Sequence, residues 1–332
     1  MRKLASIKKI KEIKPAENAD ALELAYVDGW QVVVRKGDFQ PGDLAVYFEI
    51  DSIVPDLPCF EFMRQRKFKV KTAKIRGNLS QGLLMPIEFF DLGPTNPVEG
   101  ADVTEVLGVQ KYEPPNNFDQ GDSIGHFPFD LLPITDETRI QSCAECLDEF
   151  RGKPYYATVK LNGTSFTALM KDGEFCACSR KMIKALDEGN VYGKIAAKYD
   201  LATKMARIPR FAIRGEICGP SIQKNMLGLS ELRLFIFDIW DLAHRRNVNF
   251  VELVEFTRQL EIPLVPIEMV KDHFDFTVEE LLTMADGKYD DTDNWREGLV
   301  FRPQMECFSE TLAGRLSFKA ISNKYLLKGG SS

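Results

Sequence analysis

The chain has 332 residues, 44% of them hydrophobic and 28% charged, with a formal net charge of -6. That length suits two domains rather than one core, and the balance is that of a soluble globular protein. The negative charge excludes bulk attraction of polyanions, so a nucleic acid must be held by a local basic surface.

The first hundred residues predict short strands. Leu22–Val27 alternates, Asp28-Gly29 marks a turn, and Trp30–Arg35 follows. Pro41-Gly42-Asp43 turns into Leu44–Ile50, and Phe68–Arg76 alternates basic and apolar residues before Gly77-Asn78 and Gly82–Met85. Short strands with Gly and Pro turns predict a small closed β-barrel, OB-like, over residues 1–110. Residues 111–135, with Pro114-Pro115-Asn116-Asn117, are read as a linker. Residues 136–330 form a second domain of mixed strands and helices. Tyr156–Met170 and Phe211–Cys218 read as strands, Lys181–Ala206 and Val251–Leu260 as helical, and Leu232–Trp240 as a long apolar central strand. The fold class expected is α+β.

No apolar run approaches the roughly 20 residues of a membrane helix, and the opening residues lack the pattern of a signal peptide. A cytoplasmic protein with reduced thiols is expected. Cys143 and Cys146 form one CxxC, and no second pair completes a zinc site. The three histidines are scattered, which argues against a His-based hydrolase or metalloprotease.

Arg64, Arg66, Lys67, Lys69, Lys71, Lys74 and Arg76 follow one another with no intervening acid. On a strand, Lys67, Lys69 and Lys71 share one face, and Phe68 and Val70 take the other. Lys67, Lys69, Lys71, Lys74 and Arg76 are therefore candidates for tracking a phosphate backbone. A charged edge strand that resists aggregation is the alternative.

The centre of the second domain is Thr158-Val159-Lys160-Leu161-Asn162-Gly163-Thr164-Ser165. A lysine stands at a strand end before a glycine turn. Burial and nearby cations would lower its ordinary value of ~10.4 and release a nucleophilic amine. Alone, this short pattern reads more readily as a surface lysine before a hairpin. Five further segments follow in order: Cys178-Ser179-Arg180, Ile213–Gly219 carrying Glu216, Leu234–Ile239 carrying Phe237, Trp295–Phe301 carrying Glu297, and Leu316–Ile321 carrying Lys319.

With Lys160 these segments resemble motifs I, Ia, III, IIIa, IV and V of the covalent nucleotidyltransferase superfamily of polynucleotide ligases and RNA capping enzymes. The resemblance is closest to ATP-dependent RNA ligases, in the subfamily with an N-terminal OB domain known from Deinococcus and Naegleria. It implies an OB-like barrel followed by a nucleotidyltransferase (ATP-grasp-like ligase adenylation) domain of antiparallel sheets and helices. The short stretch after Lys319 leaves no room for the C-terminal OB domain of DNA ligases and capping enzymes.

The resemblance also implies the roles. Lys160 carries AMP. Arg139, Val159, Asn162, Arg180, Glu216, Phe237, Glu297 and Lys319 surround ATP or AMP, with Phe237 stacking on adenine and Lys319 on the α-phosphate. Glu216 and Glu297 hold Mg²⁺ or Mn²⁺ through water. The implied substrate is nicked or broken RNA with 3′-hydroxyl and 5′-phosphate ends, in a duplex or not, sealed through lysyl-AMP and an adenylated strand by a monomer. Core packing explains Phe237 as well as stacking does, and Phe235 on the same face is an equal candidate. Asn162 stands where many members have Asp, and Ile321 where many have a second lysine, with Lys324 nearby. Two alternatives remain open from sequence, a capping guanylyltransferase and a non-catalytic OB-type RNA- or tRNA-binding protein.

Overall fold

In a computed structural model the structure describes residues 3–93, 95–112 and 122–328. The chain divides into two compact units, Met1–Pro115 with Leu326–Ser332, and Asn116–Tyr325. Part of the expected linker, residues 113–121, lies outside the described residues.

The first unit is built from β1 (Ala5–Lys9), β2 (Glu12–Pro15), β3 (Leu22–Val27), β4 (Trp30–Arg35), β5 (Leu44–Phe48) and β6 (Leu83–Pro86), with several shorter strands. β1 and β6 flank β5, and β3 lies between β2 and β4, all antiparallel. The Asp28-Gly29 turn closes the β3–β4 hairpin with both residues at positive φ, which matches the twist of the strands. Along β4, Trp30, Val32 and Val34 are buried and alternate with half-buried Gln31 and Val33, so the period of two read from sequence packs one face onto the core.

The basic segment departs from its sequence reading. Residues 58–66 form a 3-10 helix, and Lys67 and Phe68 both take left-handed backbone. Only Lys69–Val70 and Ala73–Ile75 are strands, and they pair with different partners. Lys67, Lys69 and Lys71 therefore do not line one strand face. The apolar residues explain why: Phe60, Met63 and Val70 are drawn into the core, and the chain must turn at Lys67 to bury them all.

The second unit is built on two large sheets, with a small two-stranded pair, Phe308–Ser309 with Gly314–Arg315, beside them among the described residues. Its elements are β7 (Ser123–His126), β8 (Thr138–Arg139), β9 (Tyr155–Lys160), β10 (Thr164–Lys171), β11 (Glu174–Cys178), β12 (Met182–Lys184), α1 (Val191–Lys198), α2 (Leu201–Arg207), β13 (Phe211–Cys218), β14 (Arg233–Asp241), β15 (Arg246–Asn247), α3 (Phe250–Leu260), β16 (Ile267–Lys271), α4 (Val278–Ala285), β17 (Gly298–Pro303) and β18 (Phe318–Ile321). One sheet has the order β7-β12-β11-β10-β13-β14-β15, and the other β8-β18-β17-β9-β16. All pairs are antiparallel except β8 with β18.

Three expectations change here. The expected strand Tyr156–Met170 breaks at Leu161–Gly163, because the chain leaves one sheet and enters the other there. Residues 182–184 are a strand, and helix begins only after Asn190, whose side chain accepts from the N–H groups of Tyr192 and Gly193. Leu232–Trp240 is apolar but not central: β14 is next to the edge, and its residues face two cores at once.

A buried ionic network also spans the second unit. Asp238 on β14 meets Arg214 on β13 at 3.1 Å and Arg315 at 3.3 Å, and Arg302 on β17 meets Glu137 at 2.7 Å. Arg315 also pairs with Glu306. Arg214, Asp238 and Arg302 are all buried.

Candidate active site

Lys160 is the last residue of β9, paired in register with Gly298, the first of β17. Glu297 precedes β17, so its carboxylate stands beside the lysine. Lys160 Nζ lies 2.8 Å from Glu297 Oε1. Gly298 is fixed by the neighbouring strand: a Cβ there would meet the carbonyl oxygen of Ala320 at 2.0 Å. Its φ of 155° also favours glycine.

The facing sheet supplies Glu216 from β13. Gly163 lies where the chain crosses between sheets, and a Cβ there would meet the Ile217 carbonyl at 2.4 Å and Glu216 Cγ at 2.7 Å. The glycine that ends the lysine motif is thus required by the packing of this crossover against the glutamate strand. Phe235 on β14 stands directly across from Glu216. Phe237 is the extra residue of a bulge, because Arg214 pairs with Asp238 and Gly215 with Ile236. Both rings are half-buried against the core of the five-stranded sheet.

The electrostatics of this group run against the simplest sequence argument. Burial alone lowers the Lys160 amine, but the Glu297 and Glu216 carboxylates outweigh it and hold the group above its ordinary value. The Glu216 carboxyl is pushed up to about 7, chiefly by burial, with Lys160 opposing and Glu297 adding. The lysine is therefore held charged until something draws the carboxylates away.

A second cluster stands beside the first. Lys319 on β18 and Arg180, in the turn between β11 and β12, share one carboxylate. Asp136 lies 3.3 Å from Lys319 Nζ and 2.6 Å from Arg180 Nη2. Lys319 is lowered, mainly by burial, with Lys160 and Arg139 adding and Asp136 opposing. Arg139 pairs in register with Lys319 across β8 and β18. The structure thus brings Lys160, Glu216, Glu297, Lys319 and Arg139 into one electrostatic group and links Arg180 to it through Asp136.

Two candidates are engaged elsewhere. The Val159 side chain is buried in the core, and its N–H donates to the Pro266 carbonyl. Asn162 is buried, with Nδ2 donating to the Tyr325 hydroxyl at 2.8 Å. Lys324 stacks over the Trp295 ring at 4.6 Å and faces Asp286 at 3.7 Å, so it does not take the place of a lysine at Ile321, which is buried. Sequence reasoning missed Asp136 and Tyr289. Asp136, three residues after Pro133, carries no pattern, and only its charge beside Glu137 and Arg139 marks it.

In the first unit, the Lys69 ammonium lies over the Tyr112 ring at 3.9 Å and that of Lys71 at 5.5 Å. Arg64 is held by Asp56 and Glu61. Lys67, Lys74 and Arg76 are exposed.

Residues 153–321 match the RNA ligase family model, which contains all of the Lys160, Glu216, Glu297 and Lys319 segments. The chain belongs to the RNA ligase family. Residues 4–87 match an OB-fold domain, so the fold is an N-terminal OB-fold domain followed by a ligase domain, α+β as expected. Similar solved structures include a Naegleria gruberi RNA ligase with PPi, at 35% identity and TM-score 0.80, covering 99% of each chain. A mutant of that ligase with ATP and Mn is 34% identical with TM-score 0.81, covering 98% of this chain and 99% of the other. Another mutant, with AMP and Mn, is 35% identical with TM-score 0.81 over the same shares. No curated protein matches the chain. Among the described residues, no helix is long and apolar enough to cross a membrane.

Proposed function

We propose that the chain is an ATP-dependent RNA ligase that joins 3′-hydroxyl to 5′-phosphate ends through AMP carried on Lys160. The observation that carries this reading is the Lys160 amine 2.8 Å from Glu297, with Glu216 on the facing sheet, inside the segment that matches the family. In the first step Lys160 Nζ attacks the α-phosphorus of ATP. A P–N bond forms, the bond to the β-phosphate oxygen breaks, pyrophosphate leaves, and the amine loses its proton. AMP then passes to a 5′-phosphate, which restores the lysine. The 3′-hydroxyl of a second strand attacks that activated phosphate and displaces AMP.

The residues supply the chemistry by placement and charge. Lys319 and Arg180 offer cations to phosphoryl oxygens, and entry of a phosphate would displace Asp136 from between them. Phe235 or Phe237 would stack on adenine, worth roughly 1–3 kcal/mol. Among the described residues no three His, Cys, Asp or Glu group to hold a metal by themselves. Two carboxylates completed by water and phosphate fit the coordination of Mg²⁺ or Mn²⁺, so Glu216 and Glu297 are the residues that would hold it. A divalent ion there would neutralise charge on the transferred phosphate. It would also draw on the carboxylates that now hold Lys160 protonated. In the first unit, Lys67, Lys69, Lys71, Lys74 and Arg76 would grip the backbone of the RNA strand that ends in the 3′-hydroxyl.

The test is incubation with radiolabelled ATP and Mg²⁺ or Mn²⁺, followed by denaturing electrophoresis. A labelled protein band that EDTA prevents and Lys160→Ala lacks supports the reading; a label that persists in Lys160→Ala overturns it. Sealing of nicked duplexes with RNA or DNA on each side then defines the substrate.

A further inference from the structure

The Lys160–Glu297 pair stands where two strands come apart. Lys160 with Gly298 is the last register pair between β9 and β17. Beyond it β9 leaves for the other sheet, and the ladder has no further rung to fix the lysine against the glutamate. A side chain from outside both strands occupies that position. The Tyr289 hydroxyl donates to the Lys160 carbonyl oxygen at 3.0 Å. The Tyr289 hydroxyl oxygen in turn accepts from the Asn162 N–H at 3.1 Å and from the Glu297 N–H at 3.2 Å. One buried phenol thus binds the backbone of the lysine, the backbone two residues on, and the backbone of the glutamate.

We propose that Tyr289 is a positioning residue that sets Lys160 against Glu297 for attack on the α-phosphorus, acting as a one-atom rung where the β-ladder ends. The inference rests on the reading that Lys160 carries AMP. Tyr289 is itself anchored independently of the nucleophile. It lies in the loop that leads into β17, where its N–H donates to the Asn294 carbonyl at 3.0 Å. Nearby, Arg296 donates to the Ala285 and Met284 carbonyls and pairs with Glu268 at 2.5 Å. The hydroxyl is therefore carried by a braced segment rather than by either strand it joins. A small displacement of a reacting group lowers rate far more than it lowers ground-state binding, so the signature is a slower chemical step with ATP affinity preserved.

The test is single-turnover transfer of labelled AMP to the full chain, over a range of ATP concentrations, with each rate normalised to the folded fraction from thermal melting. Tyr289→Phe should lower the maximal rate roughly tenfold to a hundredfold and leave the half-saturating ATP concentration within about a factor of two. Tyr155→Phe is the control: its hydroxyl sits in the same core but donates only to Met269 Sδ at 3.3 Å, and it should keep the wild-type rate. Tyr289→3-fluorotyrosine retains the hydroxyl and should restore the rate. A Tyr289→Phe rate equal to wild type overturns the proposal. So does a loss matched by Tyr155→Phe, or one that the fluorotyrosine does not restore. Absence of label on the wild-type chain would instead defeat the Lys160 reading itself.

Discussion

The basic segment of the first unit and the lysine site of the second gather charge in opposite ways. From Arg64 to Arg76 the charges are neighbours in sequence, and the fold disperses them. Arg64 turns back to Asp56 and Glu61, Lys67 sits in a left-handed turn, and Lys69 and Lys71 lie over Tyr112. Lys160, Glu216, Glu297 and Lys319 are far apart in sequence, and the fold collects them from four strands or strand ends. Adjacency along the chain is a poor guide to a shared surface once apolar neighbours must be buried. Strand register is a strong guide, because each rung fixes both partner and face.

That contrast can be broken by mutation. The largest effect should come from Glu297→Ala. Removing the carboxylate beside the nucleophile should lower AMP transfer by about a hundredfold or more, and a rate within threefold of wild type would reduce the contact to a structural ion pair. Asp238→Ala leaves Arg214 and Arg315 without their shared carboxylate in the interior. It should cost about 3–5 kcal/mol in denaturant unfolding, and an unchanged midpoint would show that the two guanidinium groups do not depend on Asp238. Gly298→Ala should destabilise by roughly 1–3 kcal/mol from backbone strain, with a larger fall in adenylation because β17 and β18 must separate. A stable, active Gly298→Ala chain would refute the close-approach argument.

The first unit should respond differently. Lys69→Ala with Lys71→Ala should weaken RNA binding and flatten its salt dependence by about 1.5 in logarithmic slope, with AMP transfer to Lys160 unchanged. Arg64→Ala should have the smallest effect, because its guanidinium already faces two acids. An equal loss of RNA affinity in Arg64→Ala would restore the view of the segment as one continuous basic track.

Much of the site was legible because motif residues sit at strand ends. The alternation of Trp30–Arg35, the Asp28-Gly29 turn and the apolar run leading into Lys160 each left a local signal. What was not legible depends on partners distant in sequence. The break after Lys160 is a change of sheet, and no local pattern distinguishes it from a hairpin turn. The helical reading of Lys181–Ala206 missed that Met182–Lys184 completes a sheet between β7 and β11. Tyr289 lies in a loop rich in Asp and Asn, where an aromatic residue carries no periodic signal. The direction of the Lys160 shift also escaped, because burial is inferred from apolar neighbours, whereas two carboxylates arrive from other strands.

The five-stranded sheet also acts as a ruler. Lys160 and Lys319 stand on β9 and β18, with β17 between them, and each faces the same side of the sheet. Two strand spacings separate their backbones by about 10 Å across the sheet. Hydrogen bonding, not side-chain choice, thus sets the gauge between the amine that would attack and the ammonium that would receive an anion. A longer or shorter side chain at either end changes what the gap can grip, while the gap itself stays fixed. Exchange of Lys319 for a shorter cation would therefore leave the span open on one side, and the chain has no means of closing it short of rebuilding the sheet.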